Sequence, residues 1–169
     1  HGITTTLLQL AKAYSIIANG GYNIQPTLIK ERKKFKKEKI LNQEVSKKIL
    51  PILRKIVTTK EGTASLANVS GYEIGGKTGT AQKSVGGVYT KKKINSFISV
   101  FPTSNPKFVL AIMLDEPKTN EDYIYHYRDG SNIKYKGTPY NTSGWTTVEV
   151  TGQIIEKIGP ILATKYSER

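Results

Sequence analysis

Gly75-Gly76-Lys77-Thr78-Gly79-Thr80-Ala81-Gln82 packs three glycines, one lysine and two threonines into eight positions. Such a string is poor material for an apolar core. It is good material for a backbone that a ligand must touch, because a residue without Cβ lets another chain or an anion come close. The ammonium and the hydroxyls suit a negatively charged partner. Two chemistries use a string of this kind, and they demand different local structure: a loop that cradles phosphate, or a strand with a ligand laid beside it.

The phosphate reading has a formal match. Gly71-Tyr72-Glu73-Ile74-Gly75-Gly76-Lys77-Thr78 fits the Gly-x-x-x-x-Gly-Lys-Ser/Thr pattern. Val109-Leu110-Ala111-Ile112-Met113-Leu114 followed by Asp115-Glu116 reads as an apolar strand ending in an acid that would hold magnesium. A phosphate loop also needs a buried strand before its first glycine and a helix opening at its Lys-Thr, whose N–H groups help hold the phosphates. Thr63-Ala64-Ser65-Leu66-Ala67-Asn68-Val69-Ser70 is no buried strand, and Gly79, Thr80 and the Gly86-Gly87 pair follow where a helix should begin. The strand reading has its context. Glu73 to Val85 can run extended, Gly86-Gly87 turns, and Asn95 to Phe101 returns. Pro102 to Pro106 turns again and Lys107 to Leu114 makes a third strand. An antiparallel meander is expected.

The chain of 169 residues is long enough for one domain with a core of its own, and 1–169 is read as a single domain. It opens at His1 inside what reads as a structured segment, so it is expected to be a piece of a longer protein. No run reaches the roughly 18 apolar residues of a membrane span, and any anchor is expected upstream. The absence of cysteine removes disulfides and thiolate metal sites and leaves the compartment open. The net charge of +13 is concentrated in Lys30 to Lys39 and in Lys91-Lys92-Lys93. Both runs lie between apolar segments with almost no interleaved aromatic residue, so they read as solvated connections rather than a nucleic-acid face. Contact with an anionic lipid or glycan polymer is the alternative.

Thr6-Leu7-Leu8-Gln9 is a capping box, and Leu7, Leu10, Ala11, Tyr14, Ile17 and Ala18 follow at helical spacing until Gly20-Gly21. This helix reads as core-facing. Thr27 to Ile29 and Lys39 to Leu41 read as short extended pieces. A second helix starts at its cap Asn42 and puts Val45, Ile49, Ile52, Leu53, Ile56 and Val57 on one face, with Pro51 expected to kink or restart it. Asp115 to Gly144 reads as one long irregular segment crowded with Tyr123, Tyr125, Tyr127, Tyr135 and Tyr140 around His126. It is either a loop packed by its own tyrosines or a flap over a cleft. A last helix carries Val148, Ile154, Ile155, Ile158, Ile161 and Leu162, and Gly159-Pro160 is expected to break or bend its end.

Several of these strings, in order, carry a resemblance. They are Thr6-x-x-Gln9-Leu10-Ala11-x-Ala13-Tyr14-x-x-x-Ala18-Asn19-Gly20-Gly21, Lys77-Thr78-Gly79-Thr80-Ala81-Gln82, Leu114-Asp115-Glu116-Pro117, and Gly144-Trp145 ahead of a terminal helix. The set resembles class B penicillin-binding proteins, nearest to the division-specific D,D-transpeptidases. The resemblance implies an α+β, β-lactamase/transpeptidase-like fold, of which this chain is the C-terminal portion, an antiparallel sheet with helices packed on it. It implies an acyl-serine mechanism without metal or organic cofactor, acting on peptidoglycan stem peptides and blocked by β-lactams. The enzyme would be held in the inner membrane, facing the periplasm, beside a glycan polymerase and division proteins. For the residues here it implies that Lys77 bonds toward the serine motifs and that Thr78 binds the donor's terminal carboxylate. Gly79 would make room for the ligand beside the strand, and Thr80 N–H would be an oxyanion-hole donor.

The family's nucleophile is not in this sequence. No Ser-x-Asn occurs, and the two Ser-x-x-Lys strings, Ser104 to Lys107 and Ser131 to Lys134, follow the Lys-Thr-Gly element instead of preceding it. One lies in a proline-containing turn and the other in a loop, where nothing rigid would hold lysine against serine. The chain alone is expected to be inactive. A D,D-carboxypeptidase or β-lactamase relative differs only in the acyl acceptor. A non-catalytic binding module of the same fold and, remotely, a nucleotide-binding protein complete the alternatives.

Overall fold

The computed structural model describes residues 4–29, 38–137 and 140–166. Helix α1 spans Leu7–Ala18, α2 Gln43–Thr58 and α3 Thr147–Tyr166. Strands β1 (Gly75–Val85), β2 (Val88–Phe101) and β3 (Phe108–Asp115) form an antiparallel sheet in the order β1-β2-β3. A separate two-stranded ribbon joins β4 (Ile124–His126) to β5 (Lys134–Lys136). The glycine-rich string is therefore a strand, and a helix does not open at its Lys-Thr.

The meander forms for local reasons. Val85 pairs with Val88 across Gly86 and Gly87, whose φ values of 59° and 80° are the left-handed pair that a two-residue hairpin requires. This turn lets β2 begin at Val88 rather than at Asn95. The added residues are mostly exposed and carry no apolar alternation; backbone pairing, with a register shift between Gln82 and Ser84, holds them together with polar contacts such as Thr90 O–H to Lys83 O at 3.0 Å and Lys92 to Glu116 at 3.2 Å. From Asn95 onward the alternation is regular. Asn95, Phe97, Ser99 and Phe101 share one face of β2, and Ile98 and Val100 the other.

α3 covers the first of these faces. Val148 joins Phe97, Val57, Leu66 and Tyr125 in one buried cluster, and Ile155 joins Phe101, Ile74 and Val69 in a second. Pro160 does not end α3, which runs on to Tyr166. Gly159 faces the ring of Tyr72 so closely that a Cβ there would overlap it, and this packing holds the helix against its own proline. Pro51 likewise does not restart α2, which stays a single helix with the proline on its exposed side.

α1 begins with the anticipated capping box, Gln9 N–H to Thr6 Oγ1 at 3.2 Å and Thr6 N–H to Gln9 Oε1 at 2.8 Å. It ends in a Schellman turn, Gly21 N–H to Ile16 O at 2.8 Å. It packs against β3, β2 and α2, but none of its residues is fully buried and Leu8 is 63% exposed. The core-facing expectation is thus only half met, since among the described residues nothing lies over its outer side. Thr27 to Ile29 ends in a bend at Leu28-Ile29 and pairs with no strand among the described residues. Lys39 makes one bridge with Tyr22. Residues 30–37 of the basic run lie outside the described residues.

Asp115 to Gly144 is not wholly irregular. Three-residue strands such as β4 and β5 are too short to leave a periodic signal in sequence. They are fixed by their turn, in which Ser131 N–H donates to Asp129 Oδ1 at 2.9 Å and Gly130 and Asn132 take left-handed φ values of 90° and 58°.

Candidate active site

The orientation of the β1 backbone follows from a bond two strands away. Glu116 N–H donates to Lys93 O at 2.9 Å, so Lys93 turns its backbone groups toward β3. Direction alternates along a strand, so Asn95 and Phe97 also face β3 while Ile94, Ser96 and Ile98 face β1. Gly79 is the partner of Ser96, so its N–H and C=O point into the sheet. Thr78 and Thr80, opposite Phe97 and Asn95, present theirs at the outer edge of β1. That edge is unpaired in the sheet order. It offers a row of donors and acceptors to an extended ligand.

Side chains alternate in the same way. Thr78 and Thr80 share the face of Phe97 and Asn95 and line a cleft of about 370 Å³ with Gly62, Thr63, Ser65, Leu66, Tyr127, Thr142, Gly144 and Trp145. Thr78 Oγ1 meets Thr63 Oγ1 at 2.9 Å. Thr80 Oγ1 meets the Ser143 hydroxyl at 3.0 Å and accepts from Ser143 N–H at 3.0 Å. Lys77 starts on the opposite face, but its ammonium curls round the edge to the carbonyl of Thr78 at 3.0 Å. It therefore puts its charge beside the open backbone without lining the cleft. Gly79 does not line the cleft either. A Cβ on it would meet Ser96 Oγ at 2.6 Å on the other face. The four residues singled out from sequence thus form one edge, with two of them in the cleft.

The opposite wall is aromatic and is held by α3. Trp145 packs edge-on against Tyr125 at 5.0 Å between ring centres and lies 5.1 Å from Tyr135. Tyr127 completes the lining, so part of the tyrosine cluster does face a cleft. The ribbon that carries these rings is tied down by Arg128, whose side chain is 6% exposed. Its guanidinium forks onto Glu149 with two bonds of 2.9 Å and reaches the Leu66 carbonyl at 3.2 Å and Glu156 at 3.1 Å. Bonding to Glu149 holds Arg128 above its ordinary pKa. The Tyr123 phenol donates to Glu149 at 3.0 Å, and burial, then that bond, pushes it up to about 12.

Thr63 and Ser143 carried no sequence signal, being single hydroxyls in loops whose meaning comes only from the strand they meet. The Ser-x-x-Lys strings take other roles. Ser104 donates its hydroxyl to the Glu73 carboxylate, and Ser131 Oγ accepts from Ile133 N–H. Asp115 is the end of β3 and is paired with Lys83 at 3.0 Å. Among the described residues no cluster of His, Asp and Glu could hold a metal, and no helix is long and apolar enough to cross a membrane.

An α+β sheet whose edge strand carries Lys-Thr-Gly beside a cleft is the architecture of a penicillin-recognising domain. The chain belongs to the penicillin binding protein transpeptidase domain family, whose model matches residues 1–132. It is 30% identical to the probable peptidoglycan D,D-transpeptidase FtsI of Caulobacter vibrioides over 98% of its own length and 27% of that relative's. The apo transpeptidase domain of Burkholderia pseudomallei penicillin-binding protein 3 is similar in structure, with a TM-score of 0.73 and 28% identity. That match covers 95% of this chain and 44% of the other. Penicillin-binding protein 3 of Mycobacterium tuberculosis complexed with aztreonam gives 0.70 and 25%, covering 94% and 36%. The chain spans about a quarter to a third of the length of these first curated relatives.

Proposed function

We propose that this chain is the Lys-Thr-Gly wall of a peptidoglycan D,D-transpeptidase, and that the nucleophilic serine lies in sequence outside it. The observation that carries the reading is the open edge of β1, where Thr78 and Thr80 present both backbone and hydroxyl groups to a cleft beside the Lys77 ammonium. A stem peptide laid along this edge gains strand-like hydrogen bonds. Its terminal carboxylate meets Thr78, and its reacting carbonyl oxygen meets Thr80 N–H. Serine attack on the penultimate D-alanine carbonyl then forms an acyl ester, and the terminal D-alanine leaves with the serine proton. The amine of a second stem peptide takes the acyl group and closes the cross-link.

The match to an FtsI supports a role in septal wall synthesis. With it come an inner-membrane anchor upstream, a periplasmic active site, and work beside a glycan polymerase and division proteins. β-Lactams occupy the same edge because they present a carboxylate and a strained carbonyl in the same order. The test is to express the complete protein, label it with a fluorescent penicillin, and map the modified serine by mass spectrometry. The expected product is one penicilloyl adduct on a serine that precedes residue 1 and is followed three residues later by lysine. No adduct, or an adduct on Ser104 or Ser131, would overturn the proposal.

A further inference from the structure

The donor assigned to the oxyanion is an N–H of the Gly79–Thr80 peptide, and the other end of that peptide is occupied in an unusual way. The Gly79 carbonyl points into the sheet toward Ser96, yet it also accepts from the hydroxyl of Ser143, which reaches it from the short turn Ser143–Trp145. Ser143 is 1% exposed. One assignment of protons satisfies every contact in the group. Ser143 O–H donates to Gly79 O, Thr80 O–H donates to Ser143 Oγ, and Ser143 N–H donates to Thr80 Oγ1. The turn is itself anchored, because Asn95, fully buried on β2, donates to Asn141 Oδ1 and Thr146 Oγ1 at 2.9 Å each, on either side of Ser143.

We propose that Ser143 is a positioning residue that clamps the Gly79–Thr80 peptide and polarises it, so that Thr80 N–H is aimed at the cleft as a stronger donor. This rests on the transpeptidase reading above. The peptide unit is planar and trans, so its C=O and N–H point in opposite directions. A hydrogen bond at the carbonyl therefore increases positive charge at the N–H on the far, open side, where no sheet neighbour competes. Ser143 also fixes the plane, since it grips the carbonyl before the amide and the side chain after it. Ser143 is buried and does not line the cleft, so its effect passes through the backbone.

The experiment is stopped-flow acylation of the complete protein by a fluorescent penicillin, which separates the dissociation constant of the initial complex from the first-order acylation constant. Removing an oxyanion donor outright costs about 10²–10³-fold in comparable enzymes, so weakening one through its peptide should cost about tenfold. Ser143→Ala is expected to slow acylation about tenfold while the initial dissociation constant stays within about twofold. Ser143→Cys, which keeps the shape of the side chain with a larger atom and a weaker donor, is expected to fall between, and carries the test if the alanine variant does not fold. An unchanged acylation constant in either folded variant, or a loss confined to initial binding, overturns the role of Ser143 and leaves the transpeptidase reading standing. An unmodified protein that no penicillin acylates overturns that reading itself.

Discussion

Gly79 illustrates how much a single missing side chain decides. Its Cβ would meet Ser96 Oγ at 2.6 Å and the next atom, Ser96 O, only at 4.0 Å. The clash is therefore with one hydroxyl and not with the sheet. Gly79→Ala is expected to cost about 1–3 kcal/mol by overpacking, and Ser96→Ala in the same molecule to recover most of it. Thermal unfolding of the two single variants and the double variant measures the coupling; additive losses would place the strain elsewhere. Tyr123 gives a prediction in pH. Its pKa is raised from 10.0 to about 12 by burial and by its bond to Glu149, so the folded state favours the protonated phenol. The stabilisation is whole below pH 10 and is lost as pH rises through about 12. Tyr123→Phe should flatten the fall in unfolding free energy between those values, and a variant with the parental slope would contradict the assignment.

Among the elements, the β4–β5 ribbon depends most on one contact. Arg128 and Glu149 are both nearly buried, at 6% and 5% exposure, and Gly152 leaves room on α3 for the guanidinium. Truncating one member of such a pair strands the other, at about 3–5 kcal/mol. Arg128→Ala should lose that much, and Arg128→Lys should recover only part, since a single ammonium cannot reproduce the fork. Denaturant unfolding monitored by Trp145, whose ring packs on Tyr125 and Tyr135 of the ribbon, reads the loss directly. Equal stability of the lysine variant would mean that charge alone matters. This element also marks the limit of the sequence. The β1–β2–β3 meander was legible because Gly86-Gly87, Pro102 and Pro106 punctuate three runs that can extend. The ribbon was not, because its strands are three residues each and its stabilising pair is separated by 21 positions.

At the scale of the molecule, the same division holds. Lys77, Thr78, Gly79 and Thr80 could be picked out because a compact string carries them all. The far wall was legible only in part: the tyrosine cluster and Gly144-Trp145 stood out, but Thr63, Tyr127 and Trp145 come from three separate segments and face one cleft only in the fold. Pro51 and Pro160 divide neither helix: Pro51 lies on the exposed side of α2, and beside Pro160 Gly159 packs on the Tyr72 ring, so of the two outcomes expected at each proline the break does not occur. The molecule is an edge strand with two hydroxyls, backed by a sheet and faced by an aromatic wall. We expect this edge to hold the acyl group once the serine has been acylated. A crystal structure of the complete protein acylated by a β-lactam tests it most directly. The ester carbonyl oxygen is expected about 2.7–3.1 Å from Thr80 N, with the ligand carboxylate on the Thr78 hydroxyl. An acyl group held away from β1, with its carbonyl bonded elsewhere, would contradict it.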